Sequence, residues 1–239
     1  MSAVLAYDQY PGEGPLAVLL HGWACAGEDL RPLALELAGR HDVVVPGLPG
    51  HPRTGAALGP AYGVEAMARC VLDLVRALDR GPALLVGHSL GGAVALAAAR
   101  LEPALVTRVV TVETSWAWAE ASIVPIDLTD AERRSKSVNM KREQLGLSAV
   151  TGQLDPSAMA EALSSVLEWS REPSRDSSLH ALGIFGDPGW AAVSSSGVPG
   201  TWEGGVRRAH LAGCGHWPHV ERPAAVARLI AATGGDEKH

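Results

Sequence analysis

Four short runs constrain the fold of this chain more than any other feature: LAVLL (16–20), DVVVPG (42–47), PALLVG (82–87) and RVVTVE (108–113). A strand with one wet face alternates apolar and polar side chains, whereas a strand apolar at almost every position is covered on both faces. Between these runs stand longer segments with helical spacing. EDLRPLALELAGRH (28–41) lines up Leu30, Leu33, Ala34 and Leu37, and VEAMARCVLDLVRALDR (64–80) lines up Met67, Val71, Leu74 and Leu78. LGGAVALAAARLEP (90–103) is a third helix, closed by Pro103. The alternation predicts an α/β fold, a mostly parallel central sheet with helices on both faces.

The rhythm breaks after the fourth run. From Trp116 to about Ser178 there are helical segments but no convincing strand. DPSAMAEALSSVLEWS (155–170) is the clearest, with Asp155 as cap and Pro156 at the first helical position. ERRSKSVNMKRE (132–143) mixes charge signs and reads as a solvated helical surface. Strand–helix order returns with LHALGIFG (179–186), VRRAHLAG (206–213) and RPAAVARLIAAT (222–233). The expected organisation is a core domain of residues 1–115 and 179–239, interrupted by a helical cap or lid, 116–178, too long for an ordinary loop.

Composition narrows the function classes. The net charge of -6 and the absence of a basic cluster argue against a nucleic-acid partner. The start of the chain lacks the basic and apolar segments of a secretion signal, and no apolar run approaches the ~20 residues of a membrane span. Cys25, Cys70 and Cys214 are widely spaced and odd in number, which suits reduced thiols in a cytoplasmic protein better than disulfides or a metal site. The expected partner is a small molecule, with no membrane association; oligomeric state is left open.

LLVGHSLGGA (84–93) carries the chemistry. It sets Ser89 between Gly87 and Gly91, where an apolar strand ends and an alanine-rich helix begins. A nucleophile elbow needs that strand, that helix, and small residues on both sides of a tight turn. A serine acting only as a helix cap has no need of glycines on both flanks. The hydroxyl also needs a base. His216, in GCGHWPHVERP, follows a late strand and precedes the last helix, so its loop falls at the sheet edge that carries Ser89. His219 is three residues on, His88 points back into the elbow, and His21 shapes the turn after the first strand. The developing oxyanion calls for fixed donors. The backbone N–H groups of Leu90 and of Trp23, in HGWACAG (21–27), are the candidates.

VLLHGWACAGEDLRPLALELAGRHDVVVPGLPGH, LLVGHSLGGAVALAAARLEP and GCGHWPHVERP together resemble the α/β-hydrolase superfamily, specifically its capped, esterase-like serine hydrolases. The resemblance implies Ser89 as nucleophile, His216 as general base, the Trp23 and Leu90 amides as oxyanion hole, and no metal or organic cofactor. One departure stands out. Members of the superfamily usually place the acid that orients the histidine in a G-x-x-D segment; here FGDPGW (185–190) puts Gly189 at that position. Asp187 reaches only if the loop bends at Pro188–Gly189. Glu113, at the end of RVVTVE, needs no rearrangement, and some capped relatives such as haloalkane dehalogenases carry their acid at that strand end. A triad with no oriented acid is the third possibility. A second departure is Gly47 in VPGLPGHP, where relatives carry Asp.

The expected function is cleavage of an ester, thioester or lactone of a small to medium apolar substrate through an acyl-enzyme. Trp116, Trp118 and Trp217 are the candidate substrate-binding residues; Trp169, Ile123, Leu128 and Met159 either line the same apolar pocket or, the preferred reading for most of them, dock the insertion onto the sheet. Acyl transfer, cyclisation and carbon–carbon cleavage use the same Ser–His machinery. A non-catalytic ligand-binding module on the same scaffold is the alternative of another kind.

Overall fold

A computed structural model describes residues 5–54, 62–114, 128–169, 181–187 and 206–232. Its strands are β1 (Tyr7–Tyr10), β2 (Leu16–Leu20), β3 (Asp42–Pro46), β4 (Ala83–His88), β5 (Val106–Val112), β6 (Ala181–Phe185) and β7 (Val206–His210). They form one sheet in the order β1-β3-β2-β4-β5-β6-β7. Every neighbouring pair is parallel except β1 with β3. The anticipated α/β class therefore holds, with one added element. β1 alternates exposed and half-buried residues and carries no apolar run, which suits an edge strand and gave the sequence no signal.

The unbroken apolar runs have a direct physical cause. In β2, Leu16, Val18 and Leu20 enter one core cluster while Ala17 and Leu19 enter the other. β4 divides likewise, with Ala83 and Leu85 on one side and Leu84 and Val86 on the other. Helices α2 (Val64–Leu78) and α3 (Leu90–Leu101) cover the first face. Helix α1 (Arg31–Leu37) and the last helix, α7 (Pro223–Ala232), cover the second. Each aliphatic side chain buried this way contributes about 2 kcal/mol relative to an exposed one. Helix α1 is shorter than its periodicity suggests, because residues 27–30 form a 3-10 turn ahead of Pro32.

Between β5 and β6 stand α4 (Leu128–Gln144) and α5 (Pro156–Trp169), which pack on each other. A short helix, α6 (Pro218–Glu221), precedes α7. Helix α5 is tied to the body through backbone groups. Its Glu161 and Ser165 side chains accept from the Tyr62 and Val64 amides at 2.8 and 2.9 Å, and the Asp155 amide donates to the Gly50 carbonyl at 3.2 Å. Cys25, Cys70 and Cys214 are free thiols. No helix among the described residues is long and apolar enough to cross a membrane.

The chain runs from β2 to β3 on one side, then crosses β2 to place β4 on its other side. In open parallel sheets such a reversal leaves a crevice beyond the carboxyl ends of the strands. The ends of β2, β4, β5 and β6 meet there.

Candidate active site

Ser89 leaves β4 at φ 51 and ψ −113, a conformation costing about 1–3 kcal/mol that persists only where surrounding bonds enforce it. Those bonds are present. The Ser89 amide donates to the Val112 carbonyl at 2.9 Å, and the Ser89 carbonyl accepts from the Gly92 amide at 3.0 Å and from Thr114 Oγ1 at 3.1 Å. A Cβ on Gly87 would lie 2.2 Å from the Gly91 carbonyl oxygen, and one on Gly91 would lie 2.3 Å from that of Leu20. The turn closes because both positions are bare. Although Ser89 occupies the cap position of α3, its side chain makes no capping hydrogen bond. Capping is therefore not what holds this hydroxyl here.

One strand over, β5 ends where β4 ends, with His88 paired to Val112. The next residue, Glu113, turns off at φ 52 and is buried at 3 % exposure. Its amide donates to the Ile184 carbonyl at 2.9 Å, fixing it against the end of β6. Glu113 Oε1 accepts from the Gly186 amide at 2.5 Å, and Oε2 faces His216 Nδ1 at 3.3 Å. A carboxylate accepts, so Nδ1 carries the hydrogen. His216 is drawn to the elbow through His88. His88 Nε2 donates to the His216 carbonyl at 2.8 Å, and the two rings stand 4.8 Å apart. Burial, reinforced by the neighbouring His219 and His216 rings, holds His88 neutral, its pKa well below the usual histidine value.

Asp187 goes elsewhere. Its amide donates to the Cys214 carbonyl at 2.7 Å, and its carboxylate accepts from the Gly213 amide at 2.5 Å and pairs with His210 Nε2 at 3.0 Å. The structure thus brings Glu113, not Asp187, to His216. Glu221 holds the same loop from the other side, accepting from the Gly215 amide at 3.1 and 3.2 Å.

The segment after β2 approaches the elbow closely: a Cβ on Gly22 would lie 2.7 Å from His88 Nδ1. Two buried histidines shape it. His21 Nδ1 donates to the Gly22 carbonyl at 2.9 Å and its Nε2 accepts from the Leu48 amide at 3.0 Å. His51 Nδ1 donates to the Pro49 carbonyl at 3.0 Å and its Nε2 accepts from the Ala24 amide at 3.2 Å. Each ring is donor at one nitrogen and acceptor at the other, which requires the neutral form. Burial lowers their pKa values to about 4 and about 3. Neither the Trp23 nor the Leu90 amide is hydrogen-bonded to another described residue.

A family model described as alpha/beta hydrolase fold matches residues 15–138. The chain belongs to the α/β-hydrolase fold family. It is 38% identical over 89 residues to the magnesium-chelatase 30 kDa subunit of Rhodobacter capsulatus, covering 37% of this chain and 31% of that one. It is 31% identical over 155 residues to a pimeloyl-[acyl-carrier protein] methyl ester esterase of Nitrosospira multiformis, covering 59% and 57%. These matches span less than two thirds of either relative. Among solved structures, an N-acyl homoserine lactonase complexed with N-butanoyl homoserine superposes with a TM-score of 0.76 at 21% identity, covering 100% of this chain and 98% of that one.

The remaining candidate residues divide into three groups. Trp217 is buried at 3 % exposure, edge-on to His216 with ring centroids 5.1 Å apart, so it backs the imidazole. The Trp23 indole donates to the Met159 carbonyl of α5 at 2.9 Å, and Trp169 receives the Arg100 guanidinium on its ring face. Trp116, Trp118, Ile123 and Gly189 lie outside the described residues, as does the side chain of Leu128. Sequence reasoning missed Arg142. Read as part of a solvated helix, it is 1 % exposed and bound at two nitrogens to Asp29, which is equally buried. Only the spacing of Ser135, Val138, Asn139 and Arg142 along one helical face signals an inward-facing stripe.

Proposed function

We propose that this chain is a serine hydrolase that cleaves an ester, thioester or lactone of a small to medium apolar substrate through an acyl-enzyme, with α4 and α5 as part of a cap over the site. The observation that carries this reading is the buried Glu113 carboxylate on His216 Nδ1 at 3.3 Å, beside the strained Ser89 turn. The hydrogen bond favours the tautomer with the hydrogen on Nδ1, in which Nε2 serves as the acceptor of the Ser89 proton. Ser89 Oγ attacks the carbonyl carbon. Charge then develops on the carbonyl oxygen, where the Trp23 and Leu90 amides, both without other acceptors among the described residues, supply fixed donors. His216 returns the proton to the leaving group, then activates water to release the acyl group from Ser89. The Glu113 carboxylate on Nδ1 balances the imidazolium that forms. The relatives named as an ester esterase and a lactonase act on acyl–oxygen bonds, which agrees with this chemistry. The Glu113 carboxylate on His216 Nδ1 supports catalysis over a non-catalytic binding module, which needs no acid to orient the histidine.

The test pairs labelling with turnover. The folded protein is expected to take up a fluorophosphonate at Ser89 and to hydrolyse p-nitrophenyl butyrate, and Ser89→Ala to lose both. A wild-type protein that stays unlabelled and inactive across a panel of esters, thioesters and lactones would overturn the proposal.

A further inference from the structure

The segment that carries the Trp23 amide is held by the cap at two separate points. On the α5 side, the Trp23 indole donates to the Met159 carbonyl. On the α4 side, Arg142 reaches across to the far end of the segment. Its Nε donates to Asp29 Oδ2 at 2.9 Å and its Nη2 to Asp29 Oδ1 at 2.6 Å, a two-pronged pairing with both partners 1 % exposed. Asp29 Oδ2 also accepts from the Ala26 amide at 3.2 Å, so the ion pair grips the backbone of the segment itself. Behind Arg142, Asn139 Oδ1 faces Nη1 at 3.4 Å and accepts from the Val150 amide at 2.7 Å, fixing the guanidinium to the cap. Between the two anchors Ala24 is held at φ 55, a strained backbone for a non-glycine residue.

An apolar pair of similar volume would stabilise such a buried position about as well, because desolvation offsets most of an ion pair's attraction. What an apolar pair lacks is direction. Two parallel N–H···O bonds fix angle as well as distance.

We infer that Arg142 and Asp29 are positioning residues that couple the seating of the cap to the aim of the Trp23 amide, so that the oxyanion site is complete only with the cap in place. This rests on the hydrolase reading given above. With the cap lifted, the Ala26–Asp29 end of the segment loses its anchor and the Trp23 side chain loses Met159. The strained Ala24 turn can then relax and carry the amide away from the developing oxyanion. The substrate's ground-state contacts are little affected, because the loss falls on a bond made in the transition state.

The test is Asp29→Leu/Arg142→Met, which removes the ion pair without orphaning a buried charge. Deleting one oxyanion donor costs about 10²–10³ in kcat, so a donor left misaimed is expected to cost roughly tenfold to a hundredfold, with KM within about threefold. Hydrogen exchange of the Gly22–Ala26 amides is expected to accelerate at least tenfold while the β4 and β5 amides stay protected. Should that variant fail to fold, Asp29→Asn/Arg142→Gln, neutral at both positions and isosteric at Asp29, takes its place with the same expectations. Unchanged kcat together with unchanged exchange would overturn the inference, as would a fall confined to KM. A wild-type protein inert to esters and fluorophosphonate would instead refute the hydrolase reading. Exchange at residues 22–26 would then decide the Arg142–Asp29 coupling alone.

Discussion

Replacing Glu113 by Gln tests the acid assignment most directly, because the site dictates how the amide must sit. Glu113 Oε1 accepts from the Gly186 amide at 2.5 Å, and Oε2 faces His216 Nδ1 at 3.3 Å. A glutamine has one acceptor to offer, not two. Turning its NH₂ toward Gly186 sets donor against donor in a buried site, at a cost of about 1–3 kcal/mol, so the amide oxygen stays on Gly186 by roughly 5- to 150-fold. The NH₂ then faces Nδ1, which must become an acceptor, and the ring proton moves to Nε2, where it blocks uptake of the Ser89 proton. Loss of charge adds to this. A carboxylate 3.3 Å from an imidazolium nitrogen contributes at most about 5 kcal/mol at an effective dielectric of ~20. The two effects together predict a fall in kcat of the order of 10⁴, the size the equivalent neutralisation has in serine protease triads. KM should change little. Single-turnover hydrolysis of p-nitrophenyl butyrate, with circular dichroism to verify folding, measures the effect. Asp187→Asn, at a half-exposed carboxylate paired with His210, should stay within about threefold of wild type. A folded Glu113→Gln variant within tenfold of wild type, or an Asp187→Asn variant losing as much as Glu113→Gln, would refute the assignment.

Other predictions concern the elbow and the buried histidines. Gly91→Ala sets a Cβ 2.3 Å from the Leu20 carbonyl oxygen, backbone against backbone, and is expected to cost about 3 kcal/mol in urea unfolding and to abolish fluorophosphonate labelling. A stable, normally labelled variant would show that the close approach is not required. His21, His51 and His219 are buried with pKa values lowered to about 4, about 3 and about 3. Below pH 6.5 the unfolded chain therefore binds protons that the folded one refuses. Stability should fall with pH between 6.5 and 5 by up to about 1.4 kcal/mol per unit for each of them, and should be flat in this respect above 6.5. Urea midpoints from pH 8 to pH 5 check this, His51→Gln should reduce the slope, and a level profile between 6.5 and 5 would contradict it.

The strands, the elbow and the position of the His216 loop were legible because their signals are local. An all-apolar run says that both faces of a strand are covered, and paired glycines say that two backbones nearly touch. β1 was not legible, since a short polar edge strand leaves no such mark. The role of α4 was read only in part: Glu132, Arg133 and Lys136 are exposed as its mixed charges suggest, but Arg142 is turned inward by a partner more than a hundred residues earlier in the chain.

From the sequence alone came the sheet, the glycine-flanked turn at Ser89 and the late loop that carries His216, all consequences of short-range sterics and of which side chains avoid water. The choice of Glu113 over Asp187 as the partner of His216 could only be made in three dimensions. Both acids stand near a strand end and both precede the histidine. What separates them is that the Ile184 carbonyl and the Gly186 amide hold Glu113 toward the ring, while the Cys214 carbonyl, the Gly213 amide and His210 draw Asp187 away. Those groups come from other strands and loops, and their directions exist only once the sheet has closed.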